Sequence, residues 1–100
     1  MAPRVTLASS VRVPEHTASR QVDTETVLLN LESGIYFGLD PVGTRIWQLI
    51  SNGARLGDAH RTLLEEFDVE PARLEADLIK LVGDLAAQGL VIVEAGEQTT

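Results

Sequence analysis

Side chains able to do chemistry are few in this chain, and they do not cluster. Cysteine is absent, which removes thiol nucleophiles, disulfides and thiolate metal ligands together. His16 and His60 stand far apart with no ligand spacing around either, so a metal site is not expected. Ser9, Ser10, Ser33 and Ser51 lack a Gly-x-Ser-x-Gly setting and a neighbouring histidine pattern. The carboxylate pairs Glu65 with Glu66 and Glu75 with Asp77 fall on helical segments, where nothing in the sequence buries them to tune a pKa. No glycine-rich loop offers a phosphate cradle. The expectation is therefore a protein with no catalytic residues, no cofactor and no metal, whose work is binding.

Charge narrows what it binds. The net charge is -7 over 100 residues, with one lysine, Lys80, and seven scattered arginines. Nucleic-acid binders cluster basic side chains against phosphates, so the balance argues against DNA and RNA. It is the balance of a soluble protein and mildly favours a basic partner. No apolar run approaches the ~20 residues of a membrane span. The first eight residues hold one arginine and no sustained apolar block, a poor signal peptide. A cytoplasmic location, with no membrane partner, is the expectation. At 44% hydrophobic content the chain reads as one small domain with a modest core.

The elements that must build a binding surface are legible in outline. Residues 1–10 have no period and read as a flexible arm. Val11, Arg12 and Val13 alternate as a short strand ahead of Pro14. Glu15 to Gln21 is polar and shows no period; Val22 is the earliest start of a second strand, best formed from Thr26 to Leu31. A Glu32-Ser33-Gly34 turn leads into Gly34-Ile35-Tyr36-Phe37-Gly38-Leu39, a third strand with Ile35, Phe37 and Leu39 on one face and Tyr36 on the other. Asp40 caps a helix with Pro41 at its first position, and Ile46, Trp47, Leu49 and Ile50 form its apolar side up to Gly53. Trp47 reads as the anchor of this helix on the sheet. A second helix runs from Leu56 to Phe67 with a weak N-cap. A third runs from Pro71 to Gln88, closed by Gly89 with Leu90 folding back. Val91, Ile92 and Val93 form a last extended piece, and residues 94–100 read as a tail.

The third helix carries more apolar surface than one core needs. Leu74, Leu78, Leu81 and Leu85 stack as one stripe; Ile79, Val82 and Ala86 add a second. The combined arc is roughly 180°, against about 100° for an ordinary surface helix. Either the rest of the fold covers both stripes, or one stripe faces a groove beside a strand with an open edge. Such a groove takes an extended peptide, with main-chain bonds from the strand and selection by apolar pockets.

These residues, in this order, resemble a known family. The hairpin of Val27 to Leu31 and Gly34 to Phe37, then Leu39 to Trp47, Gly53, Leu63 to Phe67, and Asp77 to Leu90 ending in Gln88-Gly89-Leu90, resemble the PqqD-like peptide-recognition domains. The free-standing form beside lasso-peptide proteases is the most similar, over residues 11–93. The resemblance implies an α+β fold, a winged helix-turn-helix with a three-stranded antiparallel sheet followed by three helices. It implies a non-catalytic protein that binds the leader of a ribosomally made precursor by strand addition. It implies a partner leader peptidase, a transglutaminase-like cysteine protease, to which the precursor is delivered, and leaders with a Tyr-x-x-Pro element and a downstream Leu. Carried over by position, Ile35, Tyr36, Phe37 and Gly38 fall on the peptide-pairing strand, and Asp77, Leu78, Leu81, Val82 and Leu85 on the facing helix. The family's Asn-x-Thr-Gly is replaced here by Asp40-Pro41-Val42-Gly43.

Within that set, Asp77 either meets a basic residue of the peptide or holds Arg61 or Arg73. Tyr36 either faces the peptide or packs under a strand, and Ile35 and Phe37 are expected to share a core role. A DNA-binding regulator is the alternative the fold suggests, but Arg73 and Lys80 are opposed on the last helix by Glu75, Asp77 and Asp84. A PqqD-like carrier for a different peptide-modifying enzyme is the other alternative. An open strand edge also admits self-pairing, so the chain is a monomer or a strand-mediated dimer.

Overall fold

Two sheets and three helices share one core. The structure, a computed structural model, describes residues 5–95. In chain order it contains β1 (Ser10–Arg12), β2 (Thr17–Val22), β3 (Glu25–Asn30), β4 (Tyr36–Leu39), α1 (Pro41–Ile50), α2 (Leu56–Glu66), α3 (Pro71–Ala87) and β5 (Ile92–Glu94). β2, β3 and β4 form an antiparallel sheet with β3 in the middle, while β1 pairs only with β5. The three-stranded sheet is thus not built from the strands expected. The polar stretch from Thr17 to Val22 is its first strand, and the Val11 segment belongs to a separate two-stranded sheet with the last extended piece. β2 has no apolar alternation because much of it faces solvent. It is a strand because a two-residue turn, with Asp23 at φ 62°, folds it back onto β3.

The expected loose arm is also corrected over its described part. The carbonyls of Leu7 and Ser9 accept hydrogen bonds from the N–H groups of Gly57 (2.7 Å) and Leu56 (2.8 Å). Arg55 gives α2 no side-chain cap, so these carbonyls satisfy donors that a capping residue would otherwise take. Ser9 is fully buried and Leu7 packs on the core. Residues 1–4 lie outside the described residues. At the other end Glu94 belongs to β5, and residues 96–100 of the expected tail lie outside as well.

The helix ends follow the local chemistry. Asp40 Oδ1 accepts from Gly43 N at 2.7 Å, and Pro41 occupies the first turn, where a missing N–H leaves nothing unpaired. A side chain at Gly43 would press on Asp40 Oδ1 at 3.2 Å and on Leu39, so glycine permits the abrupt passage from β4 into α1. α3 closes with Gly89 at φ 72°, whose N–H reaches Ala86 O while Leu90 N reaches Leu85 O. That pair of bonds satisfies the last carbonyls of the helix and turns Leu90 into the core.

Packing converts these elements into one unit. Leu28 of β3, Trp47 and Ile50 of α1, Leu56 and Leu63 of α2, and Leu78, Val82 and Leu85 of α3 all belong to the buried cluster. Arg45 of α1 grips Glu66 of α2 through two bonds of 2.7 and 2.8 Å. Leu78→Ala is expected to destabilise the fold by about 2–5 kcal/mol, and Leu81→Ala, at a partly buried position, less, as read from urea denaturation midpoints. Asp40→Ala is expected to cost about 0.5–2 kcal/mol through loss of the cap, by the same measurement.

Candidate functional site

The ladder of β3 decides which backbone groups β4 has to spare. Leu31 N bonds to His16 O at 2.7 Å, and Asn30 N to Ile35 O at 2.9 Å. With the observed register, the odd residues of β3 turn their N–H and C=O groups toward β2 and the even ones toward β4. On β4 the partners of those even residues are Phe37 and Leu39. Tyr36 and Gly38 therefore direct their N–H and C=O groups away from β3. Among the described residues no strand lies beyond β4, so these groups form an open edge.

Side chains make that edge one wall of a groove. Phe37 and Leu39, opposite Leu28 and Thr26, point inward; Leu39 is buried and Phe37 packs half-buried against the core. Tyr36 points to the other face and is 70% exposed. Ile35 does not share the core role expected of it. It precedes the strand at the end of the turn and is 41% exposed. Across from β4, Asp77 and Leu81 lie one turn apart on α3 and line the same hollow of about 380 Å³. The start of α1 supplies Val42 and Ile46 to its floor.

Leu78, Val82 and Leu85 do not line the groove. All three are 0% exposed, because the stripe that meets the core is Leu74, Leu78, Val82 and Leu85. They shape the groove only from beneath. Val42 and Ile46 were missed as groove residues. No local signal marks them, because they belong to α1 and reach the groove through its packing beside the end of β4. Asp77 stands 4.0 Å from Arg73, with both side chains largely in water, while Arg61 faces Asp58 at 3.8 Å.

The remaining polar candidates are occupied with the fold. His16 Nε2 lies 2.8 Å from Gly89 O, and His60 Nε2 the same distance from Pro71 O. Among the described residues no group of three or more His, Asp or Glu side chains could hold a metal, and no helix is long and apolar enough to cross a membrane. The hydrogen bonds from Arg45 hold the Glu66 carboxyl below its ordinary pKa, and Glu66 in turn raises Arg45. That is a structural pair between helices, away from the groove. The second sheet edge, along β2, borders a hollow walled by Ser19, Gln21, Thr26, Gln48 and Asn52 with Trp47, a more polar setting than the one beside β4.

Two solved structures share the fold at a TM-score of 0.76. One is TbiB1 in complex with the TbiA(beta) leader peptide, 36% identical, matched over 80% of this chain and 93% of that one. The other is a lasso peptide synthetase B1 complexed with the leader peptide, 29% identical, matched over 83% and 98%. A comparison with curated proteins gives no match. The family model described as coenzyme PQQ synthesis protein D (PqqD) matches residues 25–91, from the start of β3 through Val91. The chain belongs to the PqqD family.

Proposed function

We propose that this chain is a non-catalytic recognition protein for ribosomally made peptides. It captures the leader segment of a precursor by adding it as a strand to β4, and presents it to a partner leader peptidase in lasso-peptide maturation. The observation that carries this reading is the pairing of an open edge at Tyr36 and Gly38 with an apolar groove closed by Leu81 and Asp77 of α3. It is supported by the two relatives of matching length that are complexed with leader peptides. Main-chain bonds from Tyr36 and Gly38 supply affinity without sequence preference; Phe37, Val42, Ile46 and Leu81 select apolar side chains.

Several finer points belong to the same reading. The fold is a winged helix-turn-helix variant, with α2 and α3 joined by a short turn and the β2–β3–β4 sheet as the wing. The peptidase is a transglutaminase-like cysteine protease, the setting is the cytoplasm, and the working form is a monomer whose edge is free for the peptide. Self-pairing through β4 would compete with the leader. The family match to a coenzyme PQQ synthesis protein favours one second reading, in which the captured leader is presented to a different modifying enzyme.

Gly38→Pro tests strand addition. The Gly38 N–H is not spent on β3, so proline removes an outward donor from an edge strand, where proline is tolerated. Anisotropy titrations would use labelled leader peptides from short precursors encoded beside the gene, with the TbiA(beta) leader as reference. The expected result is saturable binding to the parent chain, and a loss of tenfold or more for Gly38→Pro with an unchanged melting temperature. Equal affinity for both proteins would sink strand addition. Leu81→Ala is expected to weaken the same peptides while costing less stability than Leu78→Ala, whereas an unaltered affinity would remove α3 from the site. Cleavage of bound precursor by an added peptidase, against modification by another enzyme, separates the two readings.

A further inference from the structure

The groove beside β4 does not end at the start of α1. Val42, Ile46 and Asp77 line it and also line a second hollow of about 470 Å³, closed by the α2–α3 turn. Ile46 and Leu74 are buried and form its floor; Val42 and Val69, both exposed, stand at its mouth. Three carboxylates, Asp68, Glu70 and Asp77, surround it against one guanidinium, Arg73. Among the described residues Asp68 and Glu70 make no ion pair, and Arg73 reaches Asp77 only at 4.0 Å.

An apolar floor under an acidic rim matches one kind of side chain. Lysine and arginine lay an aliphatic stem along apolar surface while the charged head stays at the water boundary. An uncharged apolar side chain would fill the floor and leave the rim unused. An acidic one would be repelled by a chain that already carries a net charge of -7.

We infer that this second hollow is a specificity subsite for a lysine or arginine of the bound peptide. The inference rests on the strand-addition reading, because the shared wall at Val42, Ile46 and Asp77 makes one trough of the two hollows. Position along the peptide follows. β4 runs toward Asp40, and an added strand that continues the antiparallel pairing of β2, β3 and β4 has its N-terminal end there. The basic residue therefore lies N-terminal to the stretch that pairs with β4. Val42 and Val69 receive its stem; Asp68, Glu70 and Asp77 receive its charge. The attraction is exposed to water and falls with salt.

A displayed library of random peptides selected on the full chain provides the probe. Binders that depend on the β4 edge are those lost on Gly38→Pro. Among these, the expected result is enrichment of lysine or arginine N-terminal to an alternating apolar stretch. Their affinity at low salt is expected to fall about three- to tenfold in the Asp68→Asn, Glu70→Gln double variant, and the difference to shrink at high salt. Replacing the peptide's own basic residue by glutamine should produce the same loss, and combining both changes should add little more. Both protein changes are at exposed positions, so an unchanged circular dichroism melt is the expected control. Edge-dependent binders with no basic enrichment, or with affinity indifferent to the double variant, would overturn the cationic subsite and leave strand addition standing. If no binder depends on the β4 edge, the strand-addition reading falls and takes this inference with it.

Discussion

The alternating ladder of β3 is the constraint on which the rest of the molecule depends. A central antiparallel strand has two sides and cannot change their phase without turning every side chain over. With Leu28 on the core face, the even residues of β3 must serve β4. That choice turns Phe37 and Leu39 inward and leaves the backbone of Tyr36 and Gly38 facing out. The core and the open edge are thus two results of one register. Asn30 reinforces it at the end of the strand. Its side chain accepts from Glu32 N and Ser33 N and donates to Gln88 O, so the turn before β4 and the end of α3 are fixed by one buried amide.

The unequal character of the two sheet edges follows from what lies beside each. An exposed edge is a liability unless it is covered or made unattractive. β2 presents a mostly polar strand, and the side chains near it hydrogen-bond among themselves, as Gln21 does with Gln48. β4 instead borders Phe37, Val42, Ile46 and Leu81, an apolar surface that an added strand can cover. The two edges differ in the hollow each one borders rather than in backbone chemistry.

How much of this was legible in the sequence depends on the kind of signal. The hairpin from Thr26 to Leu39, the start of α1 at Asp40-Pro41 and the end of α3 at Gly89 rest on local stereochemistry, and each was readable. β2 was not, because a strand with most of its residues in solvent has no apolar period; its partner holds it in place. Nor could alternation in Val11 and Val13 reveal that β5 rather than β3 would be the partner. In the groove, Asp77 and Leu81 were readable as residues of the facing helix. Leu78, Val82 and Leu85 were misplaced for a physical reason: periodicity reports the width of an apolar arc, not which part of it meets the core. Val42 and Ile46 escaped notice because they sit on a different helix, brought to the groove only by tertiary packing.

The attachment of α3 has a mechanical consequence. The carbonyls that follow its last turn are bound to the β2–β3 end of the sheet by His16 at Gly89, Thr17 at Leu90 and Asn30 at Gln88. Among the described residues its N-terminal end has one such side-chain tie, between His60 of neighbouring α2 and Pro71. A displacement of α3 about its C-terminal end would carry Asp77 farther than Leu81, and Leu81 farther than Leu85. What resists it at the other end is apolar packing more than hydrogen bonding, through Leu74 and Leu78 buried in the core.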